Sequence, residues 1–154
     1  MTLFDTHAHY DDEAFDADRD AVLAAFDGLV IDPGCTLASS QAAVDLAARH
    51  PHVYAAVGIH PENCGDFVPE HMDALRQLTQ QSKVVAIGEI GLDYYWAENP
   101  PREFQQQVLR AQLELALALD LPVIVHDREA HGDSLAIVKE YPALRGVFHC
   151  YSGS

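Results

Sequence analysis

A chain of 154 residues, 49% of them apolar, is long enough to bury a real core as one domain. Its formal net charge of −15 excludes a protein that grips nucleic acid through a broad basic surface; a polyanionic substrate would have to be met locally, by metal ions and a few arginines. No stretch approaches the length of a membrane-spanning helix, no basic and apolar leader precedes Leu3-Phe4-Asp5, and the odd, scattered Cys35, Cys64 and Cys150 read as reduced thiols, so a cytoplasmic protein with no membrane partner is expected.

The elements alternate along the chain. A strand is predicted over Thr2–Thr6, then a helix near Ala17–Phe26, a strand at Leu29–Ile31 and a helix over Leu37–Arg49. Val53–Val57 reads as a strand, Pro69–Gln81 as a helix and Val84–Ile87 as a strand. The clearest helix is Arg102–Leu119, where Phe104, Val108, Ala111, Leu115 and Ala118 form one apolar stripe between Pro101 and the stop at Leu121-Pro122. A strand at Val123–Val125, a helix at Ser134–Glu140 and a strand at Val147–Phe148 complete the series. The strand runs are nearly continuous in apolar residues, as strands buried on both faces should be. Strand–helix alternation argues for a parallel sheet and leaves open whether that sheet is doubly wound or a barrel.

Chemistry-bearing residues cluster where strands should end, the place a parallel α/β protein puts its ligand site. In Asp5-Thr6-His7-Ala8-His9, residues two apart in extended chain share a face, so His7 and His9 can chelate one cation; as a short motif they can equally be two ordinary histidines. His60, in Val57-Gly58-Ile59-His60-Pro61-Glu62, either supports a ligand or touches substrate, unless it is only a strand-end histidine in a turn set by Pro61. Glu89 sits in an apolar run flanked by Gly88 and Gly91, where a bare carboxylate is too costly, so a cation or an arginine must partner it. Its two oxygens can bridge two metals, and the glycines read as close backbone approaches. His126 and His149 each close a buried-type strand. Imidazole and carboxylate donors together suit Zn²⁺, Mn²⁺ or similar ions. Arg128, two residues beyond His126, reads as a phosphate clamp or as a neutraliser of acidic neighbours such as Glu129. Cys150 reads as a small buried apolar residue rather than a nucleophile.

These motifs, in this order, resemble the TatD family of metal-dependent hydrolases. The segments that carry the resemblance are DTHAHYDD at Asp5–Asp12, VGIHPE at Val57–Glu62, GEIGLDYY at Gly88–Tyr95, LPVIVHDREA at Leu121–Ala130 and FHCYSGS at Phe148–Ser154. The resemblance implies an α/β, TIM-barrel-type (β/α) fold and hydrolysis, in the family of phosphodiester bonds in DNA with 3′→5′ exonuclease action. It implies one to three divalent metals, two being the expectation here, from Mg, Mn or Zn. By position, His7 and His9 would bind one metal, His126 and His149 a second, and Glu89 would bridge them. His60 and Glu89 would act in catalysis, and Arg128 and Tyr94 would touch the substrate. The family barrel has eight strands, so about six of eight βα units are present, and a metal-binding aspartate expected near the end of strand eight has no counterpart in this chain. One metal-dependent hydrolase domain over residues 1–154, incomplete at its C-terminal side, is therefore expected, with a second chain that completes the barrel as one possibility. Two other readings stay open: an amidohydrolase-like barrel cleaving amides or lactones, and an inactive metal-binding fragment with a structural role. Glu89, where such amidohydrolases often carry a modified lysine, favours the TatD-like reading without fixing the substrate.

Overall fold

The computed structural model describes residues 3–153, so the expected strand start at Thr2 and the last residue of the FHCYSGS segment, Ser154, lie outside the described residues. The chain runs β1 (Leu3–Asp5), α1 (Arg19–Ala25), β2 (Gly28–Pro33), α2 (Leu37–Arg49), β3 (Val53–Val57), α3 (Glu70–Leu78), β4 (Val84–Asp93), α4 (Arg102–Leu119), β5 (Val123–Arg128), α5 (His131–Lys139) and β6 (Gly146–Phe148), with short 3₁₀ turns at Glu13–Phe15 and Pro61–Asp66. Among the described residues no helix is long and apolar enough to cross a membrane.

Two helices match the sequence reading residue for residue. Thr36 opens α2 with a reciprocal capping box to Ser39, and α4 starts after Pro101 and is closed by Asp120 in the left-handed conformation at φ 53°. Helix α5 begins three residues earlier than expected, at His131 rather than Ser134. The His131 ring bonds the buried Asp127 carboxylate at 2.7 Å, which fastens this first turn to β5 although Gly132 weakens it. The largest differences are in β4 and β5, which continue to Asp93 and Arg128. The extra residues pair with each other, Gly91 with His126 and Asp93 with Arg128, after a register irregularity between Ile87 and Ile90. Polar residues past the apolar run hid this extension; inter-strand pairing holds it.

The strands form one parallel sheet in sequence order, β1 to β6. Right-handed crossovers that always step in one direction put every helix on the same face. That rules out a doubly wound sheet, whose strand order must reverse, and leaves the barrel branch of the family of α/β folds. The main core lies between sheet and helices, with Leu23, Leu46, Leu75, Leu109, Leu113 and Ile137 packed on Val53, Val57, Ile87 and Val123. The opposite, concave face carries a small cluster of Ala56, Ala86 and Ile124 and an apolar cavity of about 340 Å³ whose wall includes the exposed Phe4 and Val147. In a flat sheet strands one and six would stand about 24 Å apart. The His7 and His149 rings, one just after β1 and the other just after β6, stack at 3.4 Å, so the sheet is strongly curled.

Two buried glutamines of α4 suture the strand ends. Gln112 accepts from the Ile59 N–H (2.7 Å) and donates to the Ile59 carbonyl (3.0 Å), and Gln105 does the same for Asp93 at 2.9 Å in both directions. The near-isosteric Gln112→Leu leaves both Ile59 groups buried and unpaired. It is expected to lower stability by about 2–4 kcal/mol, read as a fall in the urea midpoint at unchanged m-value.

Candidate metal centre

The site lies at the C-terminal ends of the strands. After β1 the Ala8 N–H donates to the Ile31 carbonyl (3.1 Å), so the chain stays extended and the flanking His7 and His9 turn the other way. Asp5 steadies the turn by accepting the His7 N–H at 3.0 Å. The His7 and His9 Nε2 atoms stand 3.0 Å apart.

Between them and the other histidines lies Glu89, 4% exposed. Its Oε2 is 3.1 Å from His7 Nε2 and 3.5 Å from His9 Nε2, while its Oε1 is 3.1 Å from His126 Nδ1 and 3.7 Å from His60 Nε2. Burial by itself would raise the Glu89 pKa, but the bonds from His126, His7 and His9 outweigh it and hold the carboxyl far below the usual range. Among the described residues its ion-pair partners are imidazoles and no arginine. The glycines on either side of Glu89 make room: a Cβ on Gly88 would meet Ile124, and one on Gly91, at φ 149°, would run into the His126 carbonyl.

The donor set fits a divalent cation. Metal–nitrogen bonds of about 2.0–2.1 Å set adjacent ligand atoms roughly 2.9–3.4 Å apart. The His7–His9–Glu89 triangle has edges of 3.0, 3.1 and 3.5 Å. His60, Glu89 and His126 form a second group that shares the carboxylate, and His9, Asp11 and Asp32 a third. His126 turns its other nitrogen, Nε2, to Asp93 Oδ2 at 3.0 Å, the carboxylate–histidine arrangement that orients metal-binding imidazoles. Burial lowers the His126 pKa, and the Glu89 and Asp93 bonds more than reverse this.

The sequence-derived residues are thus only partly brought together. His7, His9, Glu89 and His126 converge. His149 instead stacks flat on His7, with ring planes 9° apart, and among the described residues it joins no ligand group; His60 occupies the place beside His126. Burial pushes the His60 pKa down to about 4. Its Nδ1 accepts the Glu62 N–H at 3.3 Å, which leaves Nε2 as the protonated nitrogen of the neutral ring. Arg128 lines the cavity, and among the described residues it makes no ion pair with Glu129; its guanidinium lies on the Tyr95 ring. Tyr94 does not line the cavity. Its hydroxyl donates to Asp133 (2.9 Å) and accepts from Gln106 (2.9 Å), a link between α4 and α5. Cys150 corrects the reading of a buried residue: it is exposed on the cavity rim at φ 48°, in the turn that follows β6.

Three acidic residues escaped the sequence reading. Asp93 lies four residues from Glu89 in β4, hence on the same side of the strand, a signal that period-two reasoning could have caught. Asp32 is fully buried at the end of β2, neither oxygen is bonded among the described residues, and burial together with the nearby Asp11 pushes its pKa up to about 8. It breaks an apolar run just as Glu89 does. Asp11 and Glu89, flanking His9, push the His9 pKa up to about 10. The whole cavity, about 630 Å³, runs from His7 and His9 past His60 and Glu89 to Arg128 and Ser152.

A family model described as TatD related DNase matches residues 4–154. The chain is 36% identical, over 99% of its length, to the uncharacterized metal-dependent hydrolase YabD of Bacillus subtilis and covers 62% of that protein. It is 36% identical to the 3′-5′ ssDNA/RNA exonuclease TatD of Salmonella typhimurium, again over 99% of this chain and 60% of the relative. The crystal structure of the TatD homologue YjjV of Escherichia coli superposes with a TM-score of 0.91 at 36% identity, covering 99% of this chain and 61% of that one. The chain therefore spans about three fifths of the length of the relatives it matches.

Two measurements test the centre. Asp93→Asn, which keeps shape but removes the charge behind His126, is expected to weaken divalent-metal binding by roughly 10–100-fold in calorimetry, with the far-ultraviolet spectrum unchanged. His9 holds its extra proton up to about pH 10 against an ordinary 6.5, so between these values a cation that takes its Nε2 must displace a proton. Binding heats there should vary with buffer ionisation enthalpy, and affinity should rise with pH; a flat profile would contradict the assignment.

Proposed function

Because the chain belongs to the TatD related DNase family, we propose that it builds the metal centre of a divalent-metal-dependent hydrolase that cleaves phosphodiester bonds of DNA from the 3′ end. The observation that carries this reading is the Glu89 carboxylate, whose Oε2 faces His7 and His9 and whose Oε1 faces His126, so that one side chain is shared by two sets of donors. Two cations, of the Mg, Mn or Zn class, are the occupancy this sharing favours. His7, His9 and Glu89 would hold one; Glu89 and His126 would hold the other, with His149 close by on the His7 ring. Divalent cations in such a cradle lower the pKa of a water and stabilise charge on the attacking and leaving oxygens of a phosphodiester.

The chain's own residues do the rest. Glu89 stays ionised in a buried place because imidazoles surround it, so its charge is ready for cations. Asp93 fixes the His126 ring and its tautomer. His60, kept neutral by burial and with its proton on Nε2, is suited to donate a hydrogen bond to a phosphate oxygen rather than to remove a proton. Arg128 supplies the cation on the cavity wall for a second oxygen. The proposed setting is the cytoplasm, which keeps thiols such as Cys35, Cys64 and Cys150 reduced.

The test is release of nucleotides from the 3′ end of a 5′-labelled single-stranded oligonucleotide. Release should require added divalent metal, stop with chelator and fall to background in Glu89→Gln. His60→Ala should lower turnover about a hundredfold while metal affinity changes little. Hydrolysis of a lactone or amide with no action on DNA would select the amidohydrolase-like reading. Metal binding with no hydrolysis would select a structural role.

A further inference from the structure

We infer that Tyr95 and Trp96, held against Arg128, form a base-stacking subsite beside the metal centre, which makes an unpaired nucleobase part of what the site recognises. The inference rests on the nucleic-acid reading of the same cavity. Tyr95 is 51% exposed and Trp96 44%, two adjacent aromatic side chains left in water beside the cavity wall. The two rings meet edge to face at 4.7 Å and 87°. The Arg128 guanidinium carbon lies 3.9 Å from the Tyr95 centroid and 5.3 Å from that of Trp96. One cation thus spans both rings and also stands in the cavity wall.

The platform is anchored to the metal centre through one carboxylate. Asp93 Oδ2 meets His126 Nε2 at 3.0 Å, and Asp93 Oδ1 accepts the Tyr95 N–H at 3.0 Å. Asn99 donates to the same Oδ1 at 3.1 Å and pins the loop that carries Trp96. The Tyr94 N–H donates to the Arg128 carbonyl at 2.9 Å, locking the ends of β4 and β5 together. A base laid on these rings would be fixed relative to His126.

Charge explains why stacking is needed. The chain carries a net −15, and among the described residues lining the cavity Arg128 is the only lysine or arginine. Phosphate contacts alone can give little affinity to such a surface. Stacking on an aromatic ring is insensitive to sequence, because every base has a π-face, but a base inside a duplex is already stacked and cannot use it. The subsite therefore favours single strands and frayed ends.

Trp96 is the only tryptophan of the chain, so its emission reports on the subsite directly. The experiment titrates the chain, in Mg²⁺, with a phosphorothioate oligothymidylate and with an abasic oligomer of equal length and charge, following tryptophan emission and the anisotropy of a label on the oligomer. The oligothymidylate should quench Trp96 and bind about tenfold or more tightly than the abasic oligomer. Trp96→Ala should bring the two affinities together by weakening only the base-bearing one, and Trp96→Phe should restore most of the difference. Equal affinities with unmoved emission would overturn the subsite and leave the nucleic-acid reading standing. Failure of both oligomers to bind would instead overturn the nucleic-acid reading, and the subsite with it.

Discussion

A buried carboxylate must be surrounded by positive charge or by hydrogen-bond donors, and Glu89 imposes this condition on the whole molecule. It lies deep in β4 with 4% of its surface exposed, and four imidazoles from three different segments face its two oxygens. Each of those segments leaves a different strand: His7 and His9 follow β1, His60 follows β3, and His126 stands in β5, so at least three strand ends must point at one spot. The glycines beside Glu89 and the register irregularity of β4 are local consequences, since β4 and β5 approach too closely for a side chain at Gly91.

The curl of the sheet satisfies the condition. Strand order never reverses, helices cover one face, and the opposite face bends inward until the rings after β1 and β6 stack. The same bending leaves apolar side chains such as Phe4 and Val147 exposed at the concave face. Rigidity at the polar end comes from paired side-chain-to-backbone bonds rather than from apolar packing: Gln112 on Ile59, Gln105 on Asp93, and Asp93 in turn on His126. A site that must hold ligand atoms to a few tenths of an ångström needs such a supporting shell.

Acidity and the proposed polyanionic substrate are reconciled at this same spot. The cavity gathers imidazoles, Glu89, Asp127 and a single arginine, so attraction for a phosphate arises only where cations are held. Away from it the net charge repels nucleic acid. Recognition on such a surface is local, set by cations, by one guanidinium and by exposed rings, not by a long electrostatic track.

The sequence by itself determined the element order, the parallel character of the sheet, two helices to the residue and the candidate donors at strand ends, because those follow from local periodicity and from what a buried run tolerates. Family resemblance added the barrel, and the matching model over residues 4–154 bears the family out. Tertiary structure decided which donors meet. It joined His60, not His149, with Glu89 and His126, turned Tyr94 into a helix–helix link, put Cys150 on the rim and brought Asp93 behind His126. None of this is carried by spacing along the chain. It depends on how far the sheet curls and on the pairing of β4 with β5, and both are set by contacts between residues tens of positions apart.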